Sequence, residues 1–182
     1  MRIRGPLIIA ALAASLVAVG GTAASASTTS PQWFKHGQEH FLLTTRSASD
    51  TPAYQAAAWG VFSGFGEFIT VSSTSTATVL VAHISGGSFW VNAKDNGTSN
   101  VAQNPRTCQV TFTSYGNTYR IFAGSGRLWG LSGWGTYSIF SVQTVPRYWW
   151  GGPCNFNASH PVPGSTFTVI KANGPVFLPW HR

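Results

Sequence analysis

At 182 residues the chain has room for one domain with a sizeable core. Only 8% of residues are charged against 14% aromatic, which excludes a charge-rich disordered chain. The net charge of +7 comes from Lys and Arg scattered singly, not clustered as on a nucleic-acid surface, so no nucleic-acid partner is expected.

The first element in chain order is a leader. Arg2 and Arg4 form a basic head, Leu7 to Val19 an apolar run, and Ala24-Ser25-Ala26 a small-residue exit. That run falls short of the roughly 20 residues needed to cross a bilayer. Cleavage after Ala26 and release outside the cell are expected, with no membrane span in the remaining chain. Residues 27–52 read as a partly flexible lead-in, and 53–182 as a single β domain. Within the lead-in, "WFKHGQEHFLLTTRSA" fits a short helix or an opening strand equally well.

From Ala53 onward the pattern is β throughout. "DTPAYQAAAW" and "GFGEFITV" read as strands, followed by "TVLVAHI" (78–84), a turn at Gly86-Gly87, and "SFWVNAK" (88–94). Asp95-Asn96-Gly97 signals a tight reversal. "TCQVTFTSY" (107–115) alternates like a half-buried antiparallel strand. Tyr115 to Thr118 reads as a turn into "YRIFA" (119–123). "TYSIFSVQTV" (136–145), a Pro/Gly/Trp-rich loop and "TFTVIKA" (166–172) complete the chain. Short strands at this spacing predict an all-β fold, an antiparallel eight-stranded barrel or alternatively a β-sandwich.

Cys108 and Cys154 are the only cysteines, and in an oxidising compartment they are expected to pair. No cofactor and no metal are expected, because His36 and His40 alone make an incomplete ligand set. Four carboxylates, Glu39, Asp50, Glu67 and Asp95, leave little material for paired-acid chemistry. Asp95 sits in a turn, where local backbone is its ordinary partner. Glu67, the one acid within a strand pattern, becomes a candidate general base only if it points inward beside His83.

The sharper anomaly is aromatic. Trp129, Trp134, Trp149 and Trp150, with Tyr148, fall outside clear strand interiors, flanked by Arg127 and Arg147. They either cover the end of the core or form an exposed platform. On the second reading they line a barrel mouth that takes a small apolar or carbohydrate ligand, the arginines orienting a polar head. Self-association through the same patch, as a dimer, and a cyclase-type enzyme acting on a hydrophobic substrate are the competing expectations.

"NPRTC" (104–108), "YRIFAGSGRLWGLSGWGTYSI" (119–139), "AWGVFSGFGEF" (58–68) and "GGSFWV" (86–91) occur in an order that resembles one group of small exported bacterial proteins of actinomycete type. That group is similar to the allene oxide cyclase and dirigent-type β-barrels. The resemblance implies an antiparallel eight-stranded barrel with a central cavity. Gly124, Gly126, Gly130, Gly133, Gly135, Thr136 and Tyr137 match its glycine-rich strand-to-strand passage, while Trp129 and Trp134 depart from it. No catalytic residue of the cyclase has a counterpart in motif here, so the resemblance transfers no activity. Glycine at a sharp corner is expected because backbones there approach closely.

Overall fold

The structure is a computed structural model describing residues 34–46 and 53–179. The expected leader (1–26), its cleavage site and the first part of the lead-in lie outside the described residues. Nine strands follow in chain order: β1 (Phe34–Thr45), β2 (Ala53–Trp59), β3 (Gly64–Ser73), β4 (Ala77–Ile84), β5 (Gly87–Lys94), β6 (Thr98–Asn104), β7 (Gln109–Gly126), β8 (Ser132–Thr144) and β9 (Phe167–Pro179). They pair in the order β5-β4-β3-β2-β1-β9-β8-β7-β6, and β5 also pairs with β7. That last ladder closes an antiparallel ring of eight strands and leaves β6 outside it. The fold is therefore the barrel and not the sandwich.

Two sequence expectations change, and one strand appears where the sequence predicted none. The barrel starts earlier than the boundary at residue 53, because β1 lies within the stretch read as a lead-in and pairs with both β2 and β9. Its inward side explains the assignment: Glu39, Phe41, Leu43 and Thr45 alternate as the buried face, a period of two that only a strand produces. The turn read at Tyr115–Thr118 is a bulge inside one continuous strand, where the register with β8 shifts between Ser114 and Asn117. Asn117 is buried there, donating to the Ser114 hydroxyl at 2.8 Å and accepting from the Gly97 amide at 2.9 Å. β6 carries no hydrophobic face and is exposed along its whole length, so apolar periodicity gives it no signal.

The core fills the ring. Phe89 is fully buried, and its ring lies 5.7 to 6.0 Å from those of Phe41, Phe62 and Phe68 in tilted and edge-on arrangements. One end is plugged by Leu128 and Leu131 from the β7–β8 turn and by Val61 and Phe62 from the β2–β3 loop. The glycine-rich passage makes this plug feasible. A Cβ at Gly124 would collide with the Leu128 carbonyl oxygen, and Gly130 adopts a φ of +76°. At the other end Tyr137 donates its hydroxyl to Asp95, so that acid ties its turn to β8, beyond the neighbouring β7.

Beyond that second end, the first half of β7 leaves the ring and pairs with β6 and β8. A separate small core forms there from Cys108, Val145 and Cys154, with Val110 and Phe156 packed against it. Because Phe89 sits at the centre of the main core, Phe89→Ala is expected to cost about 3–5 kcal/mol. Urea unfolding followed by circular dichroism measures this, and a loss below about 1 kcal/mol would contradict the packing described.

Candidate functional site

The flagged aromatics do not share one mouth. Trp129 lies in the turn before β8 and Trp134 near its start, whereas Tyr148, Trp149 and Trp150 follow its far end. The ten residues of β8 after Trp134 separate the two groups, about 33 Å of chain. The single aromatic rim expected from the sequence is thereby corrected to two surfaces at opposite ends. Neither covers the core, a task done by leucine, valine and phenylalanine.

At the plugged end, Trp129 and Trp134 are 59% and 56% exposed. Trp134 faces outward on β8 and stacks on Phe177 of β9 at 5.5 Å, and Phe177 continues to His36 of β1 at 6.3 Å. Arg127 is exposed and its amide is held by the Gly86 carbonyl at 2.7 Å. One face of the Trp134 ring is thus already used within the barrel wall.

The other group is a braced tip. The disulfide Cys108–Cys154 forms as expected, with Cα atoms 5.2 Å apart. Next to it Arg147 bridges to Cys154, the Tyr148 amide donates to Pro153 at 3.1 Å, and the Asn155 amide donates to Pro146 at 2.8 Å. A turn from Trp149 to Gly152 caps this ribbon through a 2.9 Å amide–carbonyl bond, with Gly151 at a φ of +73°. Gly152 packs directly beneath the Trp149 indole, where a Cβ would come within 2.6 Å of ring atoms. The Arg147 guanidinium is spent on structure, donating to the carbonyls of Gly152 and Arg106. It holds the tip. Tyr148, Trp149 and Trp150 project from this frame at 55%, 65% and 101% exposure.

The interior offers a different chemistry. Its cavity is about 60 Å³, wholly apolar, and bounded by residues such as Phe41, Phe89, Tyr119 and Tyr137. Ligand pockets usually span about 300–1,000 Å³, so a hydrophobic substrate has no room. Glu67 and His83 face outward and are exposed, directly opposite each other on β3 and β4. His83 Nδ1 shares a 2.8 Å hydrogen bond with the Ser88 hydroxyl. Neither reaches the barrel interior, which removes the role considered for them there.

The acid that does point inward is Glu39, fully buried on β1. Its Oε2 accepts amides from Val61 at 2.7 Å and Phe62 at 3.2 Å, while Oε1 has no partner, as is also true of the buried Tyr119 hydroxyl. Burial pushes the Glu39 carboxyl up to about 7 against the pull of those two amides. Burial, then the Glu39 charge, also holds the Tyr119 phenol above its usual range. The alternation Gly37, Glu39, Phe41, Leu43 was the available sequence signal, hidden by the helix-or-strand ambiguity of "FKHGQEHFLLTT". His36 and His40 stack on Phe177 and Trp59 instead of converging. Among the described residues no group of three or more His, Cys, Asp or Glu forms a metal site.

No family profile, characterised protein or solved structure matches this chain.

Two expectations follow from the geometry. A carboxyl whose folded pKa is raised from 4.5 to about 7 stabilises fully below 4.5, and that contribution is lost as pH rises through 7. Relative to Glu39→Gln, the native protein should lose on the order of 2–3 kcal/mol between about pH 4.5 and about pH 8. Urea midpoints at both pH values measure it, and an unchanging gap would contradict a raised carboxyl. Separately, Cys108→Ser/Cys154→Ser should make the chain more readily cut by chymotrypsin after Tyr148 or Trp149 while leaving barrel circular dichroism intact. Equal cutting rates with and without the bridge would show that it does not brace the tip.

Proposed function

We propose that the protein is an exported, non-catalytic recognition protein that uses the barrel as a rigid mount and the Tyr148-Trp149-Trp150 tip as its contact surface. The reading rests on one observation: three consecutive large aromatics stand outside the protein on a turn fixed by a disulfide and a network of backbone bonds. Aromatic side chains left in water forgo the stabilisation of burial, about 1.5–3 kcal/mol for a large apolar group. A frame that keeps them there reduces the ordering cost of binding, since the contact groups are already immobile.

Export is part of the proposal and is supported by the leader-like first 26 residues and by the disulfide. The ligand class comprises molecules with flat or apolar faces, sugar rings or lipids. Kinship with the allene oxide cyclase and dirigent-type group belongs to the same proposal and brings no activity with it.

A panel of glycans and lipids followed by intrinsic tryptophan fluorescence is the test. One class should shift the emission, and Trp149→Ala/Trp150→Ala should weaken that binding at least about tenfold. The same substitutions should change stability by under about 0.5 kcal/mol, being at exposed sites. Silence across the panel, or full binding by the variant, would refute the reading.

A further inference from the structure

Resting on that reading, we infer that the tip docks on the headgroup region of an anionic lipid bilayer. Three features of the surroundings select this partner. The first is charge. The two loops that frame the tip, 105–108 and 145–166, carry Arg106, Arg147 and His160 and no carboxylate, while Asp95 in the β5–β6 turn lies at the same end of the barrel. Of the described acids, Glu39 is buried beneath the β2–β3 loop at the plugged end, Glu67 lies on the outer face of β3, and Asp95 is bonded to Tyr137. Arg106 is exposed on the turn whose carbonyl Arg147 grips, so one basic side chain is available beside the aromatics.

The second feature is shape. The tip is a projecting turn, and Gly151 at its apex has open space around it. Sugar recognition ordinarily adds placed polar side chains around a stacking ring in a concave site. Here the neighbouring guanidinium of Arg147 is already committed to two carbonyls. The third is composition. Tryptophan and tyrosine are the side chains that settle at the boundary between headgroups and acyl chains, apolar in body and polar at one point. Anionic headgroups attract nearby arginine in addition. Rigid bracing lets both indoles enter together without first ordering the loop.

The experiment is co-sedimentation of the purified protein with vesicles of phosphatidylglycerol and phosphatidylcholine in equal parts, and with phosphatidylcholine alone. Binding is expected to the first and at least about fivefold weaker to the second. Trp149→Ala/Trp150→Ala should lower partitioning at least about 30-fold, and Arg106→Gln about three- to fivefold. Trp129→Ala/Trp134→Ala, at the opposite end, should leave it within about twofold. Raising salt to about 1 M, where screening acts within about 3 Å, should abolish the preference for the anionic vesicles. No binding to anionic vesicles, or undiminished binding by the tip variant, overturns the inference. If a soluble glycan binds through the tip while vesicles do not, lipid docking fails and recognition by the tip stands. If the tip variant matches the native protein in every arm, both fail.

Discussion

The antiparallel ladder between β5, at one end of the sheet, and β7, next to the other, closes the ring, and the remaining organisation depends on it. Closing eight strands sets an interior just wide enough for side chains to fill. Phe41, Phe68 and Phe89 fill it, and only about 60 Å³ is left. Closure also leaves no open edge among the ring strands, the remaining edge being that of the polar β6. The ladder uses only Thr118 to Gly126 of β7, an 18-residue strand. The preceding half is free to run past the ring, carry β6 and deliver Cys108 to its partner. Closing the barrel and mounting the tip are thus two uses of one strand, divided at the Asn117 bulge.

A filled interior moves the search for function outward, and the polar groups agree with that. Glu39 and Tyr119 are buried, each with an oxygen atom that has no partner, and the small cavity beside Tyr119 leaves no space for a substrate. Glu39 instead ties the β2–β3 loop across the end of the barrel through two backbone amides, a structural duty that makes the fold sensitive to pH near neutrality. Outside, the aromatics at the two ends of β8 are not equivalent. Trp134 shares its face with Phe177, whereas Trp150 touches almost nothing of its own chain.

The barrel was largely legible in the sequence because period-two alternation and glycine-rich reversals are local signals. β7 and β8 could be found from "TCQVTFTSY" and "TYSIFSVQTV", and the pairing of two lone cysteines needed no geometry. What escaped depended on long-range partners. A bulge and a turn look alike in "YGNT" until β8 is seen to pair on both sides of it. β6 is a strand only because β7 offers it an edge. Glu67 sits among hydrophobic residues and Glu39 between Gln38 and His40, yet the register places the first outside and the second inside. That Arg147 braces the tip was not legible, because its partners are the carbonyls of Gly152 and Arg106. The tryptophans of the glycine-rich stretch and those of the later loop seemed one cluster because linear proximity ignores the length of the strand between them.

Recognition through the tip requires that Trp149 and Trp150 are held rigidly in solvent by the disulfide-linked ribbon. Fluorine NMR of protein labelled with 5-fluorotryptophan, its resonances assigned by single Trp→Phe substitutions, tests it directly. In the oxidised protein both signals should be shifted from the free amino acid, each as one resonance, and both should broaden strongly with a soluble paramagnetic chelate. Reducing the bridge should move them to the free amino-acid position while signals from the barrel wall stay in place. Protection of either residue from the chelate, or signals indifferent to reduction, would contradict a braced and exposed tip.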